Sequence, residues 1–340
     1  MKKRKLNDDK FDKDGKKSPR KSKPKPRRIT RKTKTTRKTT QKTTRKTARK
    51  TTRKPKKIVS ESEFETTVNR NSIPHTIEYN TPNVKIKSIT ECVDSKKGLR
   101  QYQEDRYVSI AQEDIPISLF AIMDGHGGTD VSSALVDKFK SLIPIFLNDR
   151  TIFDNKNKFK EEMIKQFIKI DQDMKKEGKK AGSTAVVAIV DVERKSLYLV
   201  NLGDSRALVM QNGEIIEVTK DMKPNNPDER KRITNLGGKV TSDNSGHRVM
   251  GVLAVSRAFG DYDLKPYVSN EPEIYGPINV KTKTVIVLAT DGLWDEVTNN
   301  DVKTIVNKHD SYKELCEVLT DFALKKKSAD NVTVMTATIS

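Results

Sequence analysis

The stretch Leu119-Phe120-Ala121-Ile122-Met123-Asp124-Gly125-His126-Gly127-Gly128 sets an unbroken apolar run directly against an aspartate and a cluster of glycines. An apolar run of this length reads as a buried strand, and the glycine marks where the chain turns out of the core. The pattern recurs twice. Leu197 to Leu202 ends in Gly203-Asp204, and Thr284 to Ala289 leads through Thr290 to Asp291-Gly292. Each of the three strands therefore delivers a carboxylate to a sheet edge. One strand followed by Asp-Gly is ordinarily just a turn. Three of them, with further acidic motifs nearby, predict carboxylates gathered around hard divalent cations. An oxygen-only ligand set suits Mg²⁺ or Mn²⁺.

Outward from these runs, Thr184–Val190 and Val332–Ile339 also have strand character. Lys158–Met174 carries Met163, Phe167, Ile170 and Met174 at spacings of three and four, the stripe of an amphipathic helix. Asp228–Leu236 and Ser311–Ala323 read similarly. Strands in clusters, interrupted by long helices, predict an α+β domain rather than a regular βα alternation. Trp294, the sole tryptophan, is assigned to core packing.

The 340 residues carry a formal net charge of +21, unevenly spread. Residues 1–57 hold 28 Lys and Arg against 4 Asp, leaving 39 basic and 42 acidic residues for the remainder. The excess charge thus belongs to an extension and not to the domain. From Thr30 to Lys54 the extension cycles through units such as Thr43-Thr44-Arg45-Lys46, with Phe11 the one aromatic residue in 1–57. Such a segment buries too little apolar surface to offset the entropy of ordering, and it reads as disordered. Residues 58–84 read as a linker that gradually gains order, and 85–340 as the folded domain. No apolar run reaches the roughly 18 residues needed to span a bilayer, and Met1 to Lys5 lacks the apolar segment of a secretory signal. A soluble protein without membrane attachment is the expectation. Cys92 and Cys316 are too few and too distant in sequence to suggest a disulfide framework or zinc site, which points to a reducing, intracellular compartment.

Arg100, Glu104 and Asp105 lie together in Gly98-Leu-Arg-Gln-Tyr-Gln-Glu-Asp-Arg106. Neighbouring side chains on a strand point to opposite faces, so Glu104 and Asp105 are not both direct ligands of one ion: one binds metal and the other holds a metal-bound water. Arg100 returns to the same rim as a bidentate phosphate clamp. Taken alone, this run also reads as a solvated charged turn. In the glycine-rich loop, the Gly125 carbonyl is accessible as a ligand. His126, two residues from Asp124, is placed to donate a proton to a leaving group. Asp204, Asp291 and Asp330, the last just before the final strand, complete the acidic set. Asp261 is a further candidate, with a loop-bracing hydrogen-bond acceptor as its equally supported reading.

The ordered series resembles the metal-dependent protein serine/threonine phosphatases of the protein phosphatase 2C type. The motifs that carry the resemblance are Arg100…Glu104-Asp105, Asp124-Gly-His-Gly-Gly128, Gly182-Ser-Thr-Ala185, Gly203-Asp-Ser-Arg206, Leu253-Ala-Val-Ser-Arg-Ala-Phe-Gly-Asp261, Asp291-Gly-Leu-Trp-Asp295 and Asp330-Asn331. It runs from about residue 85 to the C-terminus. It implies a central antiparallel β-sandwich flanked by helix pairs, in α-β-β-α layers, with a metal cleft at one edge. It implies further that Asp124 bridges two Mn²⁺ or Mg²⁺ ions and Gly125 supplies its carbonyl. Glu104, Asp291 and Asp330 complete the set, Asp105 acts through water, and Asp204, sharing Asp291, matches a weaker third metal position. Arg100 matches the phosphate-binding arginine and His126 the general acid. Phosphoproteins are the implied substrates, and the catalytic domain is expected to be monomeric.

A cysteine-based phosphatase is excluded by spacing, because Cys-x5-Arg would need arginine where Gly98 and Phe322 stand. The competing reading makes the domain an idle scaffold and the chain a nucleic-acid-binding protein. Residues 1–57 can neutralise many phosphates, giving salt-sensitive binding without sequence preference, since no interleaved aromatics offer a stacking platform. Lys2-Lys3-Arg4-Lys5 reads as a nuclear address, so the compartment expected is cytoplasm or nucleus.

Overall fold

Central strands that are apolar on both faces must be covered on both faces, and this requirement sets the layering. The computed structural model describes residues 74–79 and 86–340, except 177, 179, 245, 282 and 310. The basic segment 1–57 and most of the linker therefore lie outside the described residues.

Two antiparallel sheets dominate. The first runs, in spatial order, through β1 (His75–Glu78), β2 (Ser88–Lys96), β11 (Val332–Ile339), β10 (Thr284–Ala289), β7 (Arg206–Gln211) and β8 (Glu214–Val218). The second runs through β9 (Glu273–Asn279), β6 (Ser196–Leu202), β5 (Ala185–Asp191), β4 (Ile117–Met123) and β3 (Arg106–Ile110). Period-two alternation then divides each strand between two cores. In β4, Phe120 and Ile122 join Val186, Leu199, Val209, Ile286 and Met335 in the layer between the sheets. Leu119, Ala121 and Met123 face the other way, against Phe139, Phe146 and Phe167.

Those phenylalanines come from α1 (Asp130–Lys140), α2 (Leu142–Asn148) and α3 (Lys156–Asp173), which cover the second sheet. α3 lies within two residues of its expected bounds and is capped by Asn155, whose side chain accepts from Lys158 N–H. On the outer face of the first sheet pack the short helix α5 (Asp291–Trp294), α6 (Asn299–Lys308) and α7 (Leu315–Lys325). The α-β-β-α sandwich is thus the fold. Trp294 is buried as expected and donates through Nε1 to the Ala289 carbonyl at 2.9 Å. A smaller lobe combines α4 (Pro227–Asn235) with a hairpin of Val240–Asp243 and Gly246–Val249.

Two expectations need correction. Cys92 on β2 and Cys316 on α7 form a disulfide, with Cα atoms 5.8 Å apart. Their separation of 224 residues argued against pairing, but α7 lies across the outer face of β2 and both side chains enter the same core cluster. The cysteines accordingly give no support to a reducing compartment. In addition, β1 falls inside the stretch read as linker and pairs with β2 through His75–Glu91 to Glu78–Ser88. Among the described residues, no helix is long and apolar enough to cross a membrane.

Candidate functional site

The three Asp-Gly strand ends come out at one edge of the sandwich, because β4, β6 and β10 all terminate there. Asp124 follows β4, Asp204 follows β6 after Gly203, and Asp291 opens α5 after β10. Asp330 precedes β11, and Glu104 and Asp105 precede β3 in an irregular stretch. The field at Asp124 comes from Asp291, Asp105, Asp204 and Asp330, in that order, so the five aspartates share one cleft.

Burial and mutual repulsion act together on these acids. Loss of hydration is the larger cause, followed by the neighbouring negative charges. Asp124 and Asp204 are held well above the usual carboxylate range. Asp105 is pushed up to about 7 and Asp291 to about 6. Asp291 and Asp124 lie within hydrogen-bond reach of each other. The cleft is therefore short of positive charge.

Glu104 and Asp105 take separate partners. Asp105 Oδ2 accepts from Thr333 Oγ1 at 2.7 Å and Thr290 Oγ1 at 3.2 Å, while its buried Oδ1 has no partner. Glu104 Oε1 accepts from Gly128 N–H at 2.7 Å, and the Glu104 carbonyl accepts from Ser132 Oγ at 2.7 Å. Gly125 has no room for a side chain: a Cβ would sit 2.6 Å from both the Glu104 carbonyl oxygen and Ser132 Oγ. Its glycine identity is fixed by this close approach.

Arg100 reaches the rim, where Nη2 meets Asp330 Oδ2 at 2.5 Å with the arginine side chain 54% exposed. His126 Nε2 lies 2.8 Å from Asp261 Oδ2. Asp261 is buried and left-handed at φ 51°, and this geometry favours its hydrogen-bond role over a place among the ligands. Two residues were not singled out for a role at the site, although Asn331 stands in the Asp330-Asn331 motif. Lys223 Nζ stands 3.9 Å from Asp204 and 2.7 Å from Asp295, as a cation at the acidic rim. Asn331 accepts from Glu104 N–H and donates through Nδ2 to the carbonyls of Lys97 and Tyr102, tying the Arg100 loop to the start of β11.

The residues fit hard divalent cations. The donors are oxygens throughout, the acids repel one another, and Asp105 Oδ1 is buried with an unused acceptor. Among the described residues, no group of three or more His, Cys, Asp or Glu side chains converges closely enough to hold one ion by itself.

Residues 91–332 match the family model of protein phosphatase 2C. The chain belongs to the protein phosphatase 2C family. Over 246 residues it is 40% identical to probable protein phosphatase 2C 55 of Oryza sativa subsp. japonica, covering 70% of this chain and 63% of that one. It thus spans less than two thirds of that relative's length. Probable protein phosphatase 2C 59 of Arabidopsis thaliana is 38% identical, with 70% and 76% covered. Among solved structures, a C. elegans sex determining protein is similar at a TM-score of 0.65 and 31% identity, over 73% of this chain and 64% of that one. The serine-threonine phosphatase 2C of Toxoplasma gondii shares the fold at a TM-score of 0.64 and 23% identity, over 81% and 99%.

Proposed function

We propose that this member of the protein phosphatase 2C family hydrolyses phosphoserine and phosphothreonine in proteins, using two Mn²⁺ or Mg²⁺ ions. The observation that carries the reading is the convergence of Asp105, Asp124, Asp204, Asp291 and Asp330 at one sandwich edge, in one mutual field. Asp124, the Gly125 carbonyl, Glu104, Asp291 and Asp330 would hold the two ions, with Asp105 acting through a water. Asp204, with Asp291, would hold a weaker third. When bound, the cations neutralise phosphoryl oxygens and acidify water at neutral pH.

The chain's own groups do the rest. Arg100 exchanges its contact with Asp330 for the phosphoryl oxygens, where a planar fork of donors matches their geometry. Asp261 Oδ2 orients the ring through Nε2, and with both ring nitrogens protonated His126 passes its Nδ1 proton to the departing alkoxide and is left neutral. Asp105, anchored by two threonine hydroxyls, orients water through Oδ1. Phosphothreonine-peptide hydrolysis with Mn²⁺, before and after chelation, tests the reading. Metal-independent turnover would overturn it.

The charge of residues 1–57 supports a second element, a tether to nucleic acid or another polyanion. Cytoplasm or nucleus is the compartment this reading favours, resting on Lys2-Lys3-Arg4-Lys5. The catalytic domain is taken to act as a monomer.

A further inference from the structure

Single exposed apolar residues are ordinary on protein surfaces and call for no account. Their placement here is different. Leu99 at 82% and Tyr102 at 65% are the two most exposed large apolar side chains among the described residues, and they flank Arg100 in sequence. Neither contributes to a core cluster.

The loop that carries them is built to hold its shape. Gly98 sits at φ +59°, and a Cβ there would collide with the Asp330 carbonyl oxygen, so the chain passes hard against the start of β11. The Asn331 amide donates to the carbonyls of both Lys97 and Tyr102, at 2.8 and 2.9 Å, clamping the loop at its two ends. Arg100 is itself tied to Asp330. A loop pinned at three points still presents leucine and tyrosine to water. Folding gains nothing from that exposure, while a bound partner would gain the full transfer of both side chains.

We infer that Leu99 and Tyr102 form a docking surface for the polypeptide on either side of the phosphorylated residue, selecting substrates with an apolar side chain within two positions of it. The inference rests on the proposed phosphatase reading. Leu99 adjoins Arg100 in sequence and Tyr102 lies two residues beyond it, so the polypeptide flanking a phosphate held by Arg100 meets the same loop. An extended peptide advances about 3.3 Å per residue, so positions one and two away stay within about 7 Å of the phosphoresidue. A rigid apolar surface costs little ordering on binding, so discrimination enters through KM.

The test compares kcat/KM for phosphothreonine peptides carrying either leucine or serine at the positions next to the phosphoresidue. It uses the full chain with Mn²⁺, and p-nitrophenyl phosphate turnover of the same preparation as internal reference. The expected result is a preference for the leucine peptide of roughly tenfold or more, expressed in KM. In the Leu99→Ser/Tyr102→Ser double variant, that preference collapses toward unity relative to the reference. Equal use of the two peptides by wild type, or an undiminished preference in the double variant, overturns the docking surface while leaving the phosphatase standing. Absence of turnover on all three substrates by folded wild type overturns the phosphatase reading and the docking surface with it.

Discussion

The bond between His126 Nε2 and Asp261 Oδ2, at 2.8 Å, joins two residues 135 positions apart and fixes the orientation of the imidazole. General acid help matters most for a poor leaving group. For His126→Gln, turnover of a phosphoserine peptide is expected to fall roughly 10²–10⁴-fold. Hydrolysis of p-nitrophenyl phosphate, whose leaving group needs little protonation, falls far less. Parallel measurement of the two substrates checks this, and equal losses would remove His126 from the acid role. Glu91 offers a separate prediction away from the cleft. Burial on β2 pushes its carboxyl from 4.5 up to about 7, against a hydrogen bond from Ser109 that pulls it down. The folded state therefore holds this proton longer than the unfolded chain does. Stability from this group is full at low pH and declines as pH rises from about 4.5 to 7, by about 3 kcal/mol in all. Glu91→Gln should show no such decline, so denaturant titrations of the two proteins diverge in the variant's favour between pH 5 and 8. Parallel curves would contradict the buried-acid account. Of the site residues, those at strand ends were readable because run length and a following glycine announce them. Lys223 was not, and of Asn331 only its place in a motif was, since their roles depend on a lobe and a loop folding back from elsewhere in the chain.

At the scale of elements, strand ends aim the acids and one asparagine couples two of those ends. Asn331 at the start of β11 makes three hydrogen bonds to residues 97–104, so Asn331→Ala leaves several half-buried backbone groups without partners. A loss of about 3 kcal/mol in unfolding free energy is expected, at roughly 1–3 kcal/mol for each unsatisfied group. Activity should fall by more than the unfolded fraction explains, because Arg100 and Glu104 lose their support. Thermal unfolding and kcat/KM on one preparation decide this, and a destabilised variant with unchanged activity per folded molecule would sink the coupling. The elements themselves were legible wherever the pattern was long. Thr284–Ala289 and Val332–Ile339 are strands with the bounds their apolar runs suggested. The short strand β1 was not, because only Ile77 of its four residues is buried and nothing in His-Thr-Ile-Glu distinguishes an edge strand from a linker. The Cys92–Cys316 pairing was equally invisible, since sequence distance carries no information about a helix laid across a sheet.

At the scale of the whole molecule, a nearly neutral folded unit is joined to a strongly cationic segment, and the proposed tether predicts that the two act separately. Deleting residues 1–57 is expected to leave p-nitrophenyl phosphate turnover unchanged and to abolish salt-dependent binding of double-stranded DNA. Full-length affinity should fall steeply with salt concentration as counterion release requires. Undiminished DNA binding by the truncated chain would rule out the tether. The central claim is that the acidic edge of the sandwich performs metal-dependent phosphoester hydrolysis, and Asp124 lies at its centre. The most direct measurement is hydrolysis of a phosphothreonine peptide by wild type and Asp124→Ala, each with Mn²⁺ and after chelation, with thermal unfolding confirming that both are folded. The account predicts turnover by wild type with Mn²⁺, its loss on chelation, and at most background rates from Asp124→Ala in either condition. Turnover that survives chelation or the substitution, or none from folded wild type with Mn²⁺ or Mg²⁺, would contradict it.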